Sequence, residues 1–145
     1  MDLSHYAFKT QIEKRWSDLD EARVVNNATI MTYFEEVRIR FFNQVIGWDW
    51  EQHGLVVANA NINYRLPITY PGKELYGFLQ CTQIGNKSIT FNSALAEPEK
   101  ETWRILSDAT FVLVGFDYRQ MRSAPIPELY KIRLQQTMWT KPSAL

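Results

Sequence analysis

Residues 26–47 read NNATIMTYFEEVRIRFFNQVIG, and their reading decides the fold. Ile30, Phe34, Val37, Phe41 and Val45 recur at spacings of three and four, the period of one apolar helical face. The spacing predicts a helix over 27–46. Asn26 and Asn27 stand where a side-chain oxygen caps the first free N–H groups. Gly47 stands where a helix commonly stops. Met31 and Phe42 widen the apolar face along one flank, so the helix is expected to be gripped by a core.

On either side of this helix the period changes to two. Tyr6 to Trp16 alternates, with Tyr6, Phe8, Thr10, Ile12, Lys14 and Trp16 on one face, and so predicts a strand. Val56 to Leu66 alternates likewise and ends at Pro67 and the Pro71-Gly72 pair. Three further strands are expected at Lys73 to Ile84, Ser88 to Ala96 and Thr102 to Phe116. Gly85-Asn86 and Glu97-Pro98-Glu99-Lys100 are short enough to close antiparallel hairpins. Pro127 suits the first turn of a short terminal helix reaching Leu134. One strand, one long helix and then four strands is an α+β order with an antiparallel sheet, expected as one domain over residues 1–145. A single helix covers only one face of that sheet. The uncovered face and unpaired edges predict self-association, as a homodimer or homotetramer.

Composition narrows the function classes. The chain has 145 residues, with 16 Lys plus Arg against 16 Asp plus Glu, so no net field draws it to nucleic acid or an acidic membrane. The opening MDLSHYAFKT lacks a basic region followed by an apolar stretch, and no apolar run is long enough to span a bilayer, so a cytoplasmic protein is expected. Cys81 is the sole cysteine and His5 and His53 the only histidines, which suits neither a metal cluster nor a Cys-His pair; no cofactor or metal is expected. Cys81 reads as a small buried hydrophobe.

Arg15-Trp16-Ser17-Asp18-Leu19-Asp20, then Val25-Asn26-Asn27, then Tyr33-Phe34-Glu35-Glu36-Val37-Arg38 follow one another in order. This succession resembles the opening of the 4-hydroxybenzoyl-CoA thioesterase-like branch of the hotdog superfamily, which has Asp-x-Asp, an Asn-rich turn and a helical Glu-x-x-Arg. Ile62 to Pro67 with Gly72-Lys73, and Gly85 to Ser88, resemble that family's later strand and hairpin. The resemblance implies a curved antiparallel sheet wrapped around one long central helix, with two domains paired edge to edge and active sites at their boundary. It implies acyl-CoA as substrate, hydrolysed at the thioester. Arg23-Val24 departs from the pattern, standing where many relatives carry Gly-His or Gly followed by an apolar residue. The lost glycine is expected to change the loop's backbone freedom.

Thioester hydrolysis needs an activated water or a nucleophile, and donors aimed at the developing oxyanion. Asp18, expected at the end of the first strand, is by its match to the first Asp of Asp-x-Asp the candidate base or nucleophile, with binding of loop N–H groups as the alternative; Asp20 is expected to bind loop N–H groups. Backbone N–H groups around Val25, Asn26 and Asn27 would hold the carbonyl, and the Asn26 and Asn27 side chains would hold water or acyl group. Glu36 lies one turn before Arg40 and predicts an exposed ion pair. Glu35 falls beside the buried face and is a second candidate carboxylate, with a structural pair to Arg38 as the alternative. Arg65, Lys87 and Arg122, near expected strand ends, are candidates for the phosphates of CoA. The rival reading is a non-hydrolytic acyl-CoA or acyl-carrier-protein binding subunit on the same scaffold. A hydratase or dehydratase is disfavoured because neither histidine is suitably placed.

Overall fold

The protein is described here by a computed structural model covering residues 2–141; Met1 and residues 142–145 of the expected domain lie outside the described range. Its elements are β1 (Phe8–Ile12), a 3-10 turn (Trp16–Asp18), α1 (Asn27–Phe41) with a π-helical turn (Phe42–Ile46), β2 (Gly54–Tyr64), β3 (Leu75–Ile84), β4 (Ser88–Glu99), β5 (Thr102–Asp117), β6 (Arg122–Ser123) and α2 (Glu128–Thr137). The strands form one antiparallel sheet in the order β1-β3-β4-β5-β2, with the short β6 on β5. This is the α+β hotdog fold, a curled sheet around one long helix.

Helix α1 sits where its sequence places it. Asn26 Oδ1 accepts the Ala28 N–H at 2.7 Å, a cap whose loss typically costs about 1 kcal/mol. Ile30, Phe34, Val37 and Phe41 are buried against the sheet, with Phe34 and Phe41 meeting the rings of Phe111 and Phe91. Contact with β3 is close because Gly77 has no side chain: a Cβ there would stand 2.1 Å from Val37 Cγ2. Gly47 ends the π-turn at φ +69°, the left-handed region that glycine enters without strain.

The π-turn alters the expected stripe. Val45 is 42% exposed and its neighbour Ile46 is 1% exposed. In a π-turn the residue below Phe41 is five positions on, not four, so Ile46 takes the core place that the α-helical period assigns to Val45. Met31 also departs from expectation. It is exposed, as is Glu35 on the same flank, whereas Phe42 is fully buried.

Several element boundaries differ from the expected ones, two of them for reasons of pairing. Strand β1 stops at Ile12 because its partner starts at Leu75, and alternation beyond that point has no ladder to join. Trp16, expected to face the core, is 78% exposed, and Lys14 instead donates to the carbonyls of Thr69 and Lys73, each at 2.7 Å. The β4–β5 ladder continues through Pro98↔Trp103 to Glu99↔Thr102, so the expected four-residue turn shrinks to Lys100 and Glu101. Pro98 is tolerated because β4 has by then outrun β3 and has β5 as its one neighbour. Strand β2 begins and ends two residues earlier than the alternation suggests, and α2 runs to Thr137.

The face of the sheet away from α1 divides in two. Near β3 and β4 the N-terminal segment covers it, with Leu3 packed on Phe78, Ala94 and Ala96. Beyond that patch it is polar, with Gln80, Asn92, Thr110 and Asn61 aligned in register across β3, β4, β5 and β2. Among the described residues, no helix is long and apolar enough to cross a membrane. The π-turn assignment predicts that Ile46→Ala lowers stability by about 2–4 kcal/mol, while Val45→Ala costs less than about 1 kcal/mol, as read from urea denaturation midpoints at unchanged slope.

Candidate active site

The chain leaves β1 and turns through Trp16–Asp18 before entering the helix, which places Asp18 in a 3-10 turn rather than at a strand end. The Asp18 side chain is 7% exposed. Its Oδ2 accepts two hydrogen bonds, from the Tyr33 hydroxyl at 2.5 Å and from the Arg15 backbone N–H at 3.0 Å. Among the described residues, its Oδ1 has only the exposed guanidinium of Arg15 beside it, at 3.7 Å. Tyr33 is itself buried, and burial, its bond to Asp18 and the Asp18 charge together push its phenol well above the usual tyrosine range. It therefore remains a donor. The sequence marks Tyr33 only as core, since no local period reveals a partner fifteen residues away.

Between Asp18 and the helix, backbone pairing takes up groups that the chemistry was expected to use. The Val25 N–H donates to the Ile68 carbonyl at 2.8 Å and the Asn26 N–H to the Asp18 carbonyl at 3.0 Å. Both are therefore corrected as oxyanion donors: buried backbone groups must be paired, and here the fold pairs them. Val25 is also buried in the core. Among the described residues, no acceptor faces the N–H groups of Asn27 and Thr29, the donors left free at the helix start. The Asn26 side chain serves as the cap, and that of Asn27 is exposed. Asp20 accepts the Ala22 N–H at 2.8 Å, as an aspartate in a turn commonly does.

Glu36 pairs with Arg40 as expected. Glu35 follows Tyr33 by two residues, about 200° around the helix, so one protomer does not bring it to Asp18. The expected flank beside the buried face is open at Glu35, which is exposed. Among the described residues it makes no ion pair with Arg38. The guanidinium of Arg38 instead lies 4.4 Å from the centre of the Phe111 ring. Burial lowers the Arg38 pKa, opposed by the charge of Glu35.

The three candidate cations fall at two ends of the sheet. Arg65 belongs to the end that holds the Asp18 loop, where its Nε donates to Asp108. Burial alone would raise the Asp108 pKa, but the bonds from Arg65 and Asn63 outweigh it and hold the carboxyl below its ordinary value. Lys87 and Arg122 belong to the other end, where Lys87 Nζ stands 3.5 Å from Ser123 Oγ. About 20 Å of strand β5, from Asp108 to Val114, separates the two ends. At that far end lies a cavity of about 500 Å³ walled by Trp48, Trp50, His53, Phe116 and Tyr118. A shallower depression opens over Leu19, Asp20, Glu21, Ala22 and Asn26, beside the Asp18 turn.

Cys81 is buried and its thiol is pushed up to about 11 by burial, so it packs as a small hydrophobe. Among the described residues, no group of three or more His, Cys, Asp or Glu could hold a metal ion.

Arg23 has φ +63°, in the left-handed region that glycine enters without strain. A bulky side chain there carries backbone strain that glycine does not. Arg23→Gly is expected to be neutral or stabilising by up to about 1 kcal/mol, and Arg23→Val to destabilise by about 1–2 kcal/mol, both measured by chemical denaturation.

Comparison with known proteins places these features in context. A model of the thioesterase-like superfamily matches residues 14–134. The long-chain acyl-CoA thioesterase FadM of Escherichia coli is 29% identical over 132 residues, covering 88% of this chain and 97% of that protein. A Thermus thermophilus thioesterase, solved with coenzyme A and zinc, superposes with a TM-score of 0.79 at 28% identity, over 92% of this chain and 96% of the other. A mutant 4-hydroxybenzoyl-CoA thioesterase complexed with 4-hydroxybenzoyl-CoA gives a TM-score of 0.79 over 88% and 97% of the two chains, at 13% identity, a likeness of fold.

Proposed function

The chain belongs to the thioesterase-like superfamily, and from that premise we propose that it hydrolyses acyl-CoA thioesters to the free acid and CoA, with Asp18 as base or nucleophile. The observation that carries the reading is the carboxylate itself. Asp18 is held at the entrance to the helix with one oxygen doubly hydrogen bonded and the other, among the described residues, free of a hydrogen bond. Acting as base, Oδ1 takes a proton from water while the water oxygen attacks the thioester carbon. The C–S bond then breaks, and the CoA thiolate leaves and is protonated. The Asn27 N–H and the positive end of α1 suit the carbonyl oxygen as it gains charge.

The names of FadM and of the CoA-bound T. thermophilus enzyme favour CoA as the carrier. Within the superfamily, Asp18-x-Asp20, Asn26-Asn27 and Glu35-x-x-Arg38 support a reading within the 4-hydroxybenzoyl-CoA thioesterase-like branch. The working unit is a homodimer or homotetramer of this one domain. Strand β2 ends the sheet with eleven residues whose outer edge has no strand partner among the described residues. Antiparallel pairing of two such edges would turn the Lys87 and Arg122 end of one protomer towards the Asp18 and Arg65 end of the other. That assembly offers cations from both ends to one bound CoA, and a route for Glu35 to serve across the boundary. The near-complete burial of Asp18 favours, as a second reading, a subunit that binds acyl-CoA without cleaving it.

Thiol release by purified protein across a panel of aliphatic and aromatic acyl-CoAs separates the two readings. The wild type is expected to release CoA. Asp18→Asn is expected to keep fold and oligomer while losing about a hundredfold or more in rate. Asp20→Asn and Glu36→Gln should act on stability alone. Normal hydrolysis by Asp18→Asn beside an inactive Glu35→Gln would move the chemistry to the helix carboxylate. Binding without thiol release by the wild type would establish the second reading.

A further inference from the structure

We propose that Tyr33 is a positioning residue for Asp18: its hydroxyl, with the Arg15 N–H, saturates Oδ2 and so selects Oδ1 as the oxygen that meets the reacting water. The inference rests on the reading of Asp18 as the reacting carboxylate and deepens it.

A carboxylate on a short side chain turns broadly about its last torsion unless something holds it. Two donors from different parts of the fold hold this one. The Arg15 N–H comes from the turn that carries Asp18, at 3.0 Å, and the Tyr33 hydroxyl from the second turn of α1, at 2.5 Å. Both choose the same oxygen. An ionised carboxylate oxygen has about two acceptor sites, so Oδ2 has no capacity left for water. The nearest cation to Oδ1 is 3.7 Å away and largely exposed, too far for a hydrogen bond. The two oxygens of Asp18 are thus unequal.

Tyr33 suits this task because it has little freedom of its own. Its ring is buried, and its helix is pinned one turn further on where Val37 meets Gly77. The raised pKa of the phenol follows from burial and from the neighbouring charge, and keeps the proton on the tyrosine. Tyr33 donates without ever becoming the acid of the reaction.

A purely structural phenol would lose stability on removal of its hydroxyl and leave turnover alone. Tyr33→Phe separates the cases, because it keeps the ring and deletes only the donor. Steady-state thiol release, thermal unfolding and binding of a non-hydrolysable acyl-CoA thioether are measured for wild type, Tyr33→Phe, Asp18→Asn and Tyr130→Phe. The last is a control that removes a buried hydroxyl accepting the Asp49 N–H at 3.0 Å, away from Asp18. The expected result for Tyr33→Phe is a fall in kcat of about tenfold or more, the scale of a lost hydrogen bond to a charged group, with KM and thioether affinity within about twofold. Tyr130→Phe should lose stability with kcat unchanged. Wild-type kcat in Tyr33→Phe beside an inactive Asp18→Asn overturns this inference alone, as does a rise in KM at constant kcat. A tenfold loss of kcat in Tyr130→Phe also overturns it, by showing that loosening the core suffices. A wild type that releases no thiol, or an Asp18→Asn protein of normal kcat, overturns the Asp18 reading and this inference together.

Discussion

Val37 resting on Gly77 is the contact on which the remainder of the molecule depends. A single helix must be held by one curled sheet, and the depth to which it sinks is set where a side chain on the sheet is missing. From that seat the helix extends both ways. At one end Gly47 lets the chain leave in a left-handed turn. At the other, Asn26 caps the first turn and donates its N–H to the Asp18 carbonyl, while Tyr33 reaches the Asp18 side chain. The same residue therefore closes the loop and carries the candidate chemistry. Its geometry is inherited from the packing of α1.

Three buried charges are handled in three ways, and the difference separates architecture from chemistry. Asp108 is paired with Arg65 and Asn63, which holds it ionised and uses part of Arg65 that a phosphate could otherwise take. Arg38 has an aromatic face beneath it and an Nη atom with no hydrogen-bond partner, a costly arrangement for a guanidinium. Asp18 is satisfied on one oxygen and left open on the other. A carboxylate of purely structural purpose gains by using both oxygens, as Asp108 does. That asymmetry sets Asp18 apart from the other two and makes it the candidate for chemistry.

Much of this was legible in the residues. The three-and-four spacing from Ile30 to Phe41 marked the buried face, Asn26 and Gly47 marked the ends of the helical run, and alternation marked the strands. These signals are local, because a helix or strand face is written into neighbours a few positions apart. The order of elements then restricted the architecture to one helix against one antiparallel sheet. Glu36 and Arg40, one turn apart, belong to the same class of signal.

What the sequence could not express were pairings between distant segments, and those decided the candidate site. Trp16 continues the alternation of β1 yet lies exposed, because β3 begins at Leu75 and supplies no partner beyond Ile12. The N–H groups of Val25 and Asn26 look free at a helix start, but Ile68 and Asp18 accept them. Val45 yields its core place to Ile46 through one π-turn, which shifts the helical phase without altering composition. Arg65 and the Lys87 and Arg122 pair look equivalent as strand-end cations until the register assigns them to opposite ends. The sequence by itself determined which faces are apolar and which chemistry is at hand, since both reside in side chains and their local period. The tertiary structure alone decided that Tyr33 meets Asp18 and that Glu35 does not, since that depends on how deeply and at what angle the helix is seated in the sheet.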